Sequence, residues 1–378
     1  MKNRWVLLMF IFLMIGCAPD SRELDHRSVI MGVAVDEGEN ERFSVSIQLP
    51  ILTEGGEGGL SPQAREFEIF TTEANTLWDA LADLEAITPS VLFFGHLKAV
   101  LVSEQLAKED LPLILDLFGR ESTVGNQVFL IVVEGSAKEF IVKESPLVNL
   151  PSLYLERYFR AEQKLSRSRG VMLFEYRRDS NMISGAATLP LAKLKDEQIA
   201  IEGMAVFKDH QLVEKFKPTE VGFSELLKNN QIDFMNYTVT MDEENEEFIS
   251  LSRINLKQDV EIKRTKPVHF SIRIQGNGEI LSANDLNRKV DTSLIQKVEE
   301  EVSKQFTEQL EDLIKKMQLA NAEPWLLGHR IWANHPEYFS QLKWNEKGWQ
   351  EATFDIKVDF EVDNTGQRGF INKQKLGR

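Results

Sequence analysis

Hydrophobic and polar positions follow two regimes along the chain. In the front half, short apolar runs alternate with stretches at helical spacing. Val29–Val35 is apolar apart from small residues, and Phe43, Val45, Ile47 and Leu49 alternate with Ser44, Ser46 and Gln48. Both read as strands around a polar turn at Asp36–Arg42, the second with one buried face. Phe67, Ile69 and Phe70 suggest a further short strand. Thr76–Ala86 reads as a helix, with Leu77, Leu81 and Leu84 on one side and Pro89 past its end. Ala99–Val102 is strand-like. Ser103 is placed to cap a helix carrying Leu106, Leu111, Ile114, Leu115 and Phe118, and Val128–Val133 is a continuous apolar strand. Ser136 opens another helix through Phe140 and Ile141. Strand, helix, strand, helix at this spacing implies a partly parallel sheet with helices packed on it.

After Pro146 and Pro151 a charged helix is expected over Leu153–Leu165, with edge strands near Leu173–Arg177 and Ala187–Leu191. Met204–Phe207 and Gln211–Val213, around Asp209-His210, read as a hairpin opening a second region, and Phe223–Leu227 as a short helix. From Met235 to Leu281 the pattern is strand after strand, with the acidic run Asp242–Glu247 as a hairpin tip. Leu294, Val298, Val302, Phe306, Leu310, Leu313, Ile314 and Met317 then define the strongest amphipathic helix, expected to lie across its own antiparallel sheet. Trp325-Leu326-Leu327-Gly328 and Trp332 supply aromatic packing, and Phe354–Val362 alternates as a one-sided strand. The fold class is therefore α+β and multi-domain. The N-terminal part is a mixed sheet with packed helices; the C-terminal part has mainly antiparallel sheets with one long helix. Expected borders are 29–195, 200–262 and 263–378, with a polar tail over Gly366–Arg378.

The amino terminus changes where such a protein is placed. Lys2 and Arg4 precede an apolar run from Trp5 to Ile15, followed by Gly16 and Cys17, the only cysteine of 378 residues. The run falls short of the roughly 20 apolar residues a membrane-spanning helix needs and has the proportions of a secretory signal. Met14-Ile15-Gly16-Cys17 resembles the bacterial lipobox, with Met14 where Leu is usual. Residues 1–16 are thus expected to be a lipoprotein signal peptide and 17–28 a tether. Cys17 is the lipidation site, its thiol alkylated by diacylglycerol. Two acyl chains anchor far more firmly than one.

Composition narrows the partners. With 42% hydrophobic and 27% charged residues the chain is an ordinary globular one, and no second long apolar run is present. Its formal charge of −15 disfavours phosphate backbones, so no nucleic acid partner is expected. Gly55-Gly56-Glu57-Gly58-Gly59 lacks the spacing of a phosphate-binding loop and reads as surface loop. The acidic run lacks EF-hand spacing, and the six histidines show no metal-ligand spacing. There is no nucleophile elbow. No catalytic, cofactor-binding or metal-binding residue is nominated, and an enzyme is not expected.

The ordered succession of features resembles one family. The lipobox is followed by Asp20-Ser21-Arg22-Glu23-Leu24 and Ile30-Met31-Gly32-Val33-Ala34-Val35-Asp36. Further on come Phe94-Gly95-His96-Leu97-Lys98-Ala99-Val100-Leu101-Val102, Phe118-Gly119-Arg120, Gly203-Met204-Ala205-Val206-Phe207-Lys208, the long helix and Trp325-Leu326-Leu327-Gly328. Together they resemble the Ger(x)C family, lipoprotein C subunits of spore germinant receptors. Ala18-Pro19 departs from the Trp-Asp that members often carry after the cysteine. The resemblance implies three α+β domains and a non-enzymatic subunit on the outer face of the spore inner membrane. It also implies membrane-spanning A and B receptor subunits as partners and attachment through diacylglycerol on Cys17. A solute-binding lipoprotein of a membrane transporter is the alternative, although Met235–Leu281 lacks the βα alternation expected of a second lobe. A tethered hydrolase is a third reading that no residue favours.

Overall fold

The computed structural model describes residues 27–51, 67–144, 148–161, 166–196, 198–244, 246–283 and 292–364. Its front half is built on ten strands: β1 (Arg27–Val29), β2 (Gly32–Glu37), β3 (Phe43–Pro50), β4 (Phe67–Ala74), β5 (Val91–Phe93), β6 (Ala99–Ser103), β7 (Phe129–Glu134), β8 (Ala186–Lys195), β9 (Gln198–Lys208) and β10 (Gln211–Phe216). β1 and β5 form a small parallel pair; the others form one eight-stranded sheet in the order β10-β9-β8-β7-β6-β2-β3-β4. The centre, β2-β6-β7-β8, is parallel and the flanks are antiparallel.

The central strands are apolar on both faces because helices cover both. Val100, Val102, Leu130 and Val132 join the larger core with α1 (Leu77–Ile87), α2 (Glu104–Glu109) and α3 (Leu111–Arg120). Ala99, Leu101, Phe129 and Ile131 point the other way, to α4 (Ala137–Val142) and α5 (Pro151–Arg160). Thr76, Ser103 and Ser136 cap α1, α2 and α4, each side-chain oxygen accepting an amide three residues on. The single helix expected after Ser103 is two. Pro112 cannot follow Lys108 in an unbroken helix, so the chain breaks at Asp110 and restarts.

Several expectations are corrected. β3 is buried on both faces: Gln48 donates to the Ile141 carbonyl at 3.2 Å and accepts from Ser152 Oγ at 2.5 Å, while Ser46 pairs with Thr71 Oγ1 at 2.9 Å. The side facing α4 is thus polar yet satisfied. Leu173–Arg177 is not an edge strand but part of α6 (Leu173–Ser180). Leu173 and Tyr176 are buried at helical spacing, and Glu175 caps the Met172 amide at 3.0 Å. Ala187–Leu191 lies inside the sheet, between β7 and β9. The Met204–Gln211 hairpin extends this same sheet. The border expected between residues 195 and 200 lies at the β8–β9 hairpin, where Lys195 pairs with Gln198. The charged helix after Pro151 ends at Arg160 among the described residues.

After α7 (Pro218–Leu227) comes a four-stranded sheet in chain order, β11 (Ile232–Asp242), β12 (Glu247–Lys263), β13 (His269–Ala283) and β14 (Thr353–Asn364). The separate strands expected at Ile249–Leu251 and Val260–Ile262 are one, because a bulge between Ser252 and Asn255 absorbs the change of register. α8 (Thr292–Leu319) connects β13 to β14 as a crossover, which makes that pair parallel. Its 28 residues run about 42 Å across the sheet, burying Val298, Val302, Phe306, Leu310 and Met317. Gly276 and Gly278 make room: a Cβ on Gly276 would stand 2.6 Å from Leu256 Cδ2 and one on Gly278 2.9 Å from Ile254 Cγ1.

The same helix also reaches both outer strands. At β11, Gln305 Nε2 donates to the Thr240 carbonyl at 2.6 Å and Gln305 Oε1 accepts the Thr240 amide at 3.4 Å. At β14, Ser303 Oγ accepts from Phe360 N at 3.3 Å and Glu299 Oε1 from Val362 N at 3.0 Å. Replacing Gln305 by Leu keeps the volume and unpairs Thr240. We expect a loss of about 1–2 kcal/mol in urea unfolding; unchanged stability would show that this edge contact contributes nothing.

Candidate functional site

Open α/β sheets place ligands outside the carboxyl ends of their parallel strands, and a crevice of about 480 Å³ lies there, lined by Asp36, Glu37, Ser103, Glu104, Lys108 and Ser136. Its charges are already matched. The Asp36 oxygens accept the amides of Ala137 and Lys138 at 2.7 and 2.8 Å, so the chain's own carboxylate fills the first turn of α4, where an anion would bind. Burial raises the Asp36 pKa above the ordinary range, against the pull of those two amides. Ser103 Oγ donates to Glu37 at 3.3 Å. Lys215 reaches in from β10 to Glu104 and Glu134 at 2.6 and 2.7 Å, and Lys108 meets Glu104 at 2.9 Å. Burial opposes the charge on Glu104, but the two lysines outweigh it and hold its carboxyl below the usual range.

Elsewhere the titratable pairs are structural in placement. Tyr176 is buried beneath Phe207, its hydroxyl 3.3 Å from His210 Nδ1, and burial pushes its pKa up. His269 Nδ1 lies 2.9 Å from Thr353 Oγ1 across the exposed β13–β14 pair. Among the described residues, no cluster of three or more His, Cys, Asp or Glu side chains is arranged to hold a metal ion, and no helix is long and apolar enough to cross a membrane. Asp242–Glu247 joins β11 to β12, as expected of a hairpin tip. The signal segment, Cys17 and Gly55–Gly59 lie outside the described residues, as does the tail from residue 365.

The densest polar cluster sits where the two sheets meet, around α7 and α9 (Leu327–Asn334). Glu323 is buried, and its oxygens accept three amides, from Trp325 at 2.8 Å, Leu327 at 3.0 Å and Gly328 at 3.0 Å. The carboxyl thus caps α9, with Leu326 in the left-handed region at φ 62° to bring the amides round. Burial pushes the Glu323 pKa up to about 7, against the pull of these amides and of Arg330. Trp325, fully buried, donates from Nε1 to Ser224 Oγ on α7 at 3.0 Å and meets Trp349 edge-on at 5.8 Å. Gly328 is required because a Cβ there would overlap the Trp344 indole. Arg330 donates to the Lys228 carbonyl at 2.9 Å.

Ion pairs fasten the same region to the front sheet. Asp179 on α6 pairs with Lys228, and Arg169 lies 2.5 Å from Glu175 and 3.4 Å from Glu225 of α7. Lys316 of α8 reaches Glu220 at 3.1 Å and the Lys215 carbonyl at 2.7 Å. Sequence reasoning assigned Trp325–Gly328 to packing but passed over Glu323. The available signal was an acid just ahead of a short helix whose first turn carries Gly328.

These features define an α+β module in which buried polar groups join an eight-stranded sheet to a four-stranded one. A model of the spore germination protein N-terminal domain matches residues 20–194, and one of the spore germination B3/GerAC-like C-terminal domain matches residues 202–366. The chain belongs to the Ger(x)C family of spore germination proteins. It is 21% identical to spore germination protein GerQC of Bacillus cereus, over 96% of this chain and 99% of that one. It is also 21% identical to spore germination proteins KC and B3 of Bacillus subtilis (strain 168), over 96% of this chain and 95% and 98% of theirs. The crystal structure of the GerBC protein superposes with a TM-score of 0.54 at 17% identity, covering 88% of this chain and 96% of that one. The two domain matches meet at the β8–β9 hairpin, inside the eight-stranded sheet.

The raised Glu323 pKa has a signed consequence. A carboxyl that titrates near 4.5 when unfolded and about 7 when folded stabilises the fold most below 4.5. That contribution is lost as pH rises through 7. Unfolding free energy should therefore fall between about pH 4.5 and 7 more steeply in the wild type than in Glu323→Gln, which cannot ionise; equal slopes would contradict the assignment.

Proposed function

We propose that this protein is the lipid-anchored C subunit of a spore germinant receptor, needed for nutrient-triggered germination and acting through contacts with other proteins. The single observation that carries the reading is the succession of both family domains over nearly the whole chain behind Met14–Cys17, which resembles a lipobox. In this reading diacylglycerol on Cys17 holds the chain on the outer face of the spore inner membrane. The membrane-spanning A and B subunits are its partners. The self-paired charges of the strand-end crevice favour a role in assembly over one in chemistry. The net charge of −15 leaves attachment to the acyl chains, because an acidic surface is repelled by anionic headgroups.

Cys17→Ala is expected to move the protein out of the spore membrane fraction and to reduce nutrient-triggered germination, with the fold unchanged. Fractionation of the variant together with germination assays on the same spores checks this. Wild-type membrane retention and an unaltered nutrient response would sink the anchoring and the role together.

A further inference from the structure

The chain leading from Cys17 joins the fold at a defined place. Arg27 pairs with Val91 and Val29 with Phe93, and Ser28 Oγ donates to the Ser90 carbonyl at 3.2 Å. The Arg27 guanidinium lies 4.5 Å over the Phe93 ring. The tether thus arrives beside Val91 and the turn that ends α1. This turn exposes apolar side chains: Ile87 is 54% exposed, Val91 is 42% exposed, and Pro89 between them is exposed as well. β1 and β5 lead into the amino ends of β2 and β6, through Lys98 N donating to the Met31 carbonyl at 2.9 Å and Leu97 N to the Phe94 carbonyl at 3.0 Å. The crevice of Asp36, Ser103 and Ser136 lies at the opposite, carboxyl ends of the same strands.

Nine residues separate Cys17 from Arg27. Even fully extended, such a link spans at most about 35 Å, so a bilayer holding Cys17 lies within that reach of Arg27, which pairs beside Val91. Three side chains on one turn cannot supply the roughly 800 Å² per partner that a stable protein contact buries. A surface already tethered needs much less, since attachment makes the second contact intramolecular. The acidic protein gains no charge attraction to anionic lipid, which leaves apolar contact.

The geometry points to Ile87, Pro89 and Val91 as the surface that rests on the lipid headgroup region, orienting the anchored protein with the amino ends of its parallel strands toward the bilayer and the strand-end crevice away from it. This rests on the anchoring at Cys17 proposed above. The test uses the full-length acylated protein in vesicles of phosphatidylethanolamine and phosphatidylglycerol carrying a headgroup nitroxide lipid. One fluorophore is attached to a new thiol at Val91→Cys, Ile87→Cys or, at the crevice, Gln105→Cys. Contact within the interface should remove more than about half of the emission at 87 and 91 and only a small fraction at 105. Equal quenching at all three positions, or none at 87 and 91 in vesicle-bound acylated protein, would overturn the orientation while leaving the anchor standing. A mass spectrum without acyl groups on Cys17, in protein that fails to join vesicles, would instead overturn the anchoring reading, and this inference with it.

Discussion

A carboxylate shut away from water sets the geometry where the two sheets meet. Glu323 gathers the amides of Trp325, Leu327 and Gly328, and in doing so fixes the direction of α9 and the depth of Trp325. Trp325 then touches both halves, α7 through Ser224 and the aromatic cluster of Trp349 and Trp344 on the other side. Left without those amides, a buried charge is costly; left without the carboxylate, three amides lose their acceptor. Each group therefore holds the other in place.

Edge management shows the same economy in the back sheet. Outer strands offer unpaired backbone groups to any passing strand. Here α8 crosses the sheet with Gln305 meeting β11 and with Ser303 and Glu299 meeting β14. An apolar stripe packs the helix down while polar side chains flanking it bond to Thr240, Phe360 and Val362 on the two outer strands. Glycine at positions 276 and 278 lets Leu256, Ile254 and Phe360 close over β13 beneath the helix.

What the sequence made legible were features set by local period and caps. α8, β14, the Ser103 and Ser136 caps and the strands β6 and β7 all follow from spacing and residue type alone. Failures share a cause, that distant neighbours decide. The alternation of β3 reads as one-sided, yet its polar face is also buried, Gln48 bonding to Ile141 of α4 and Ser152 of α5 and Ser46 to Thr71 of β4. Leu173–Arg177 has residues that suit a strand, and the side-chain cap from Glu175 makes it a helix. Glu323 stayed hidden because a buried acid looks like any exposed one until its amides are in view.

The seam between α6 and α7 is held by Asp179 with Lys228 and Arg169 with Glu225, not by apolar contact alone. Such pairs add little net stability, since desolvation offsets most of their attraction. Their effect is directional: an apolar seam tolerates sliding by part of a side chain, whereas a displaced buried ion loses its partner with no water to replace it. Lys316 adds a further tie, from α8 to Glu220 of α7. A seam of such pairs therefore fixes how α6 sits against α7 more sharply than apolar packing alone would.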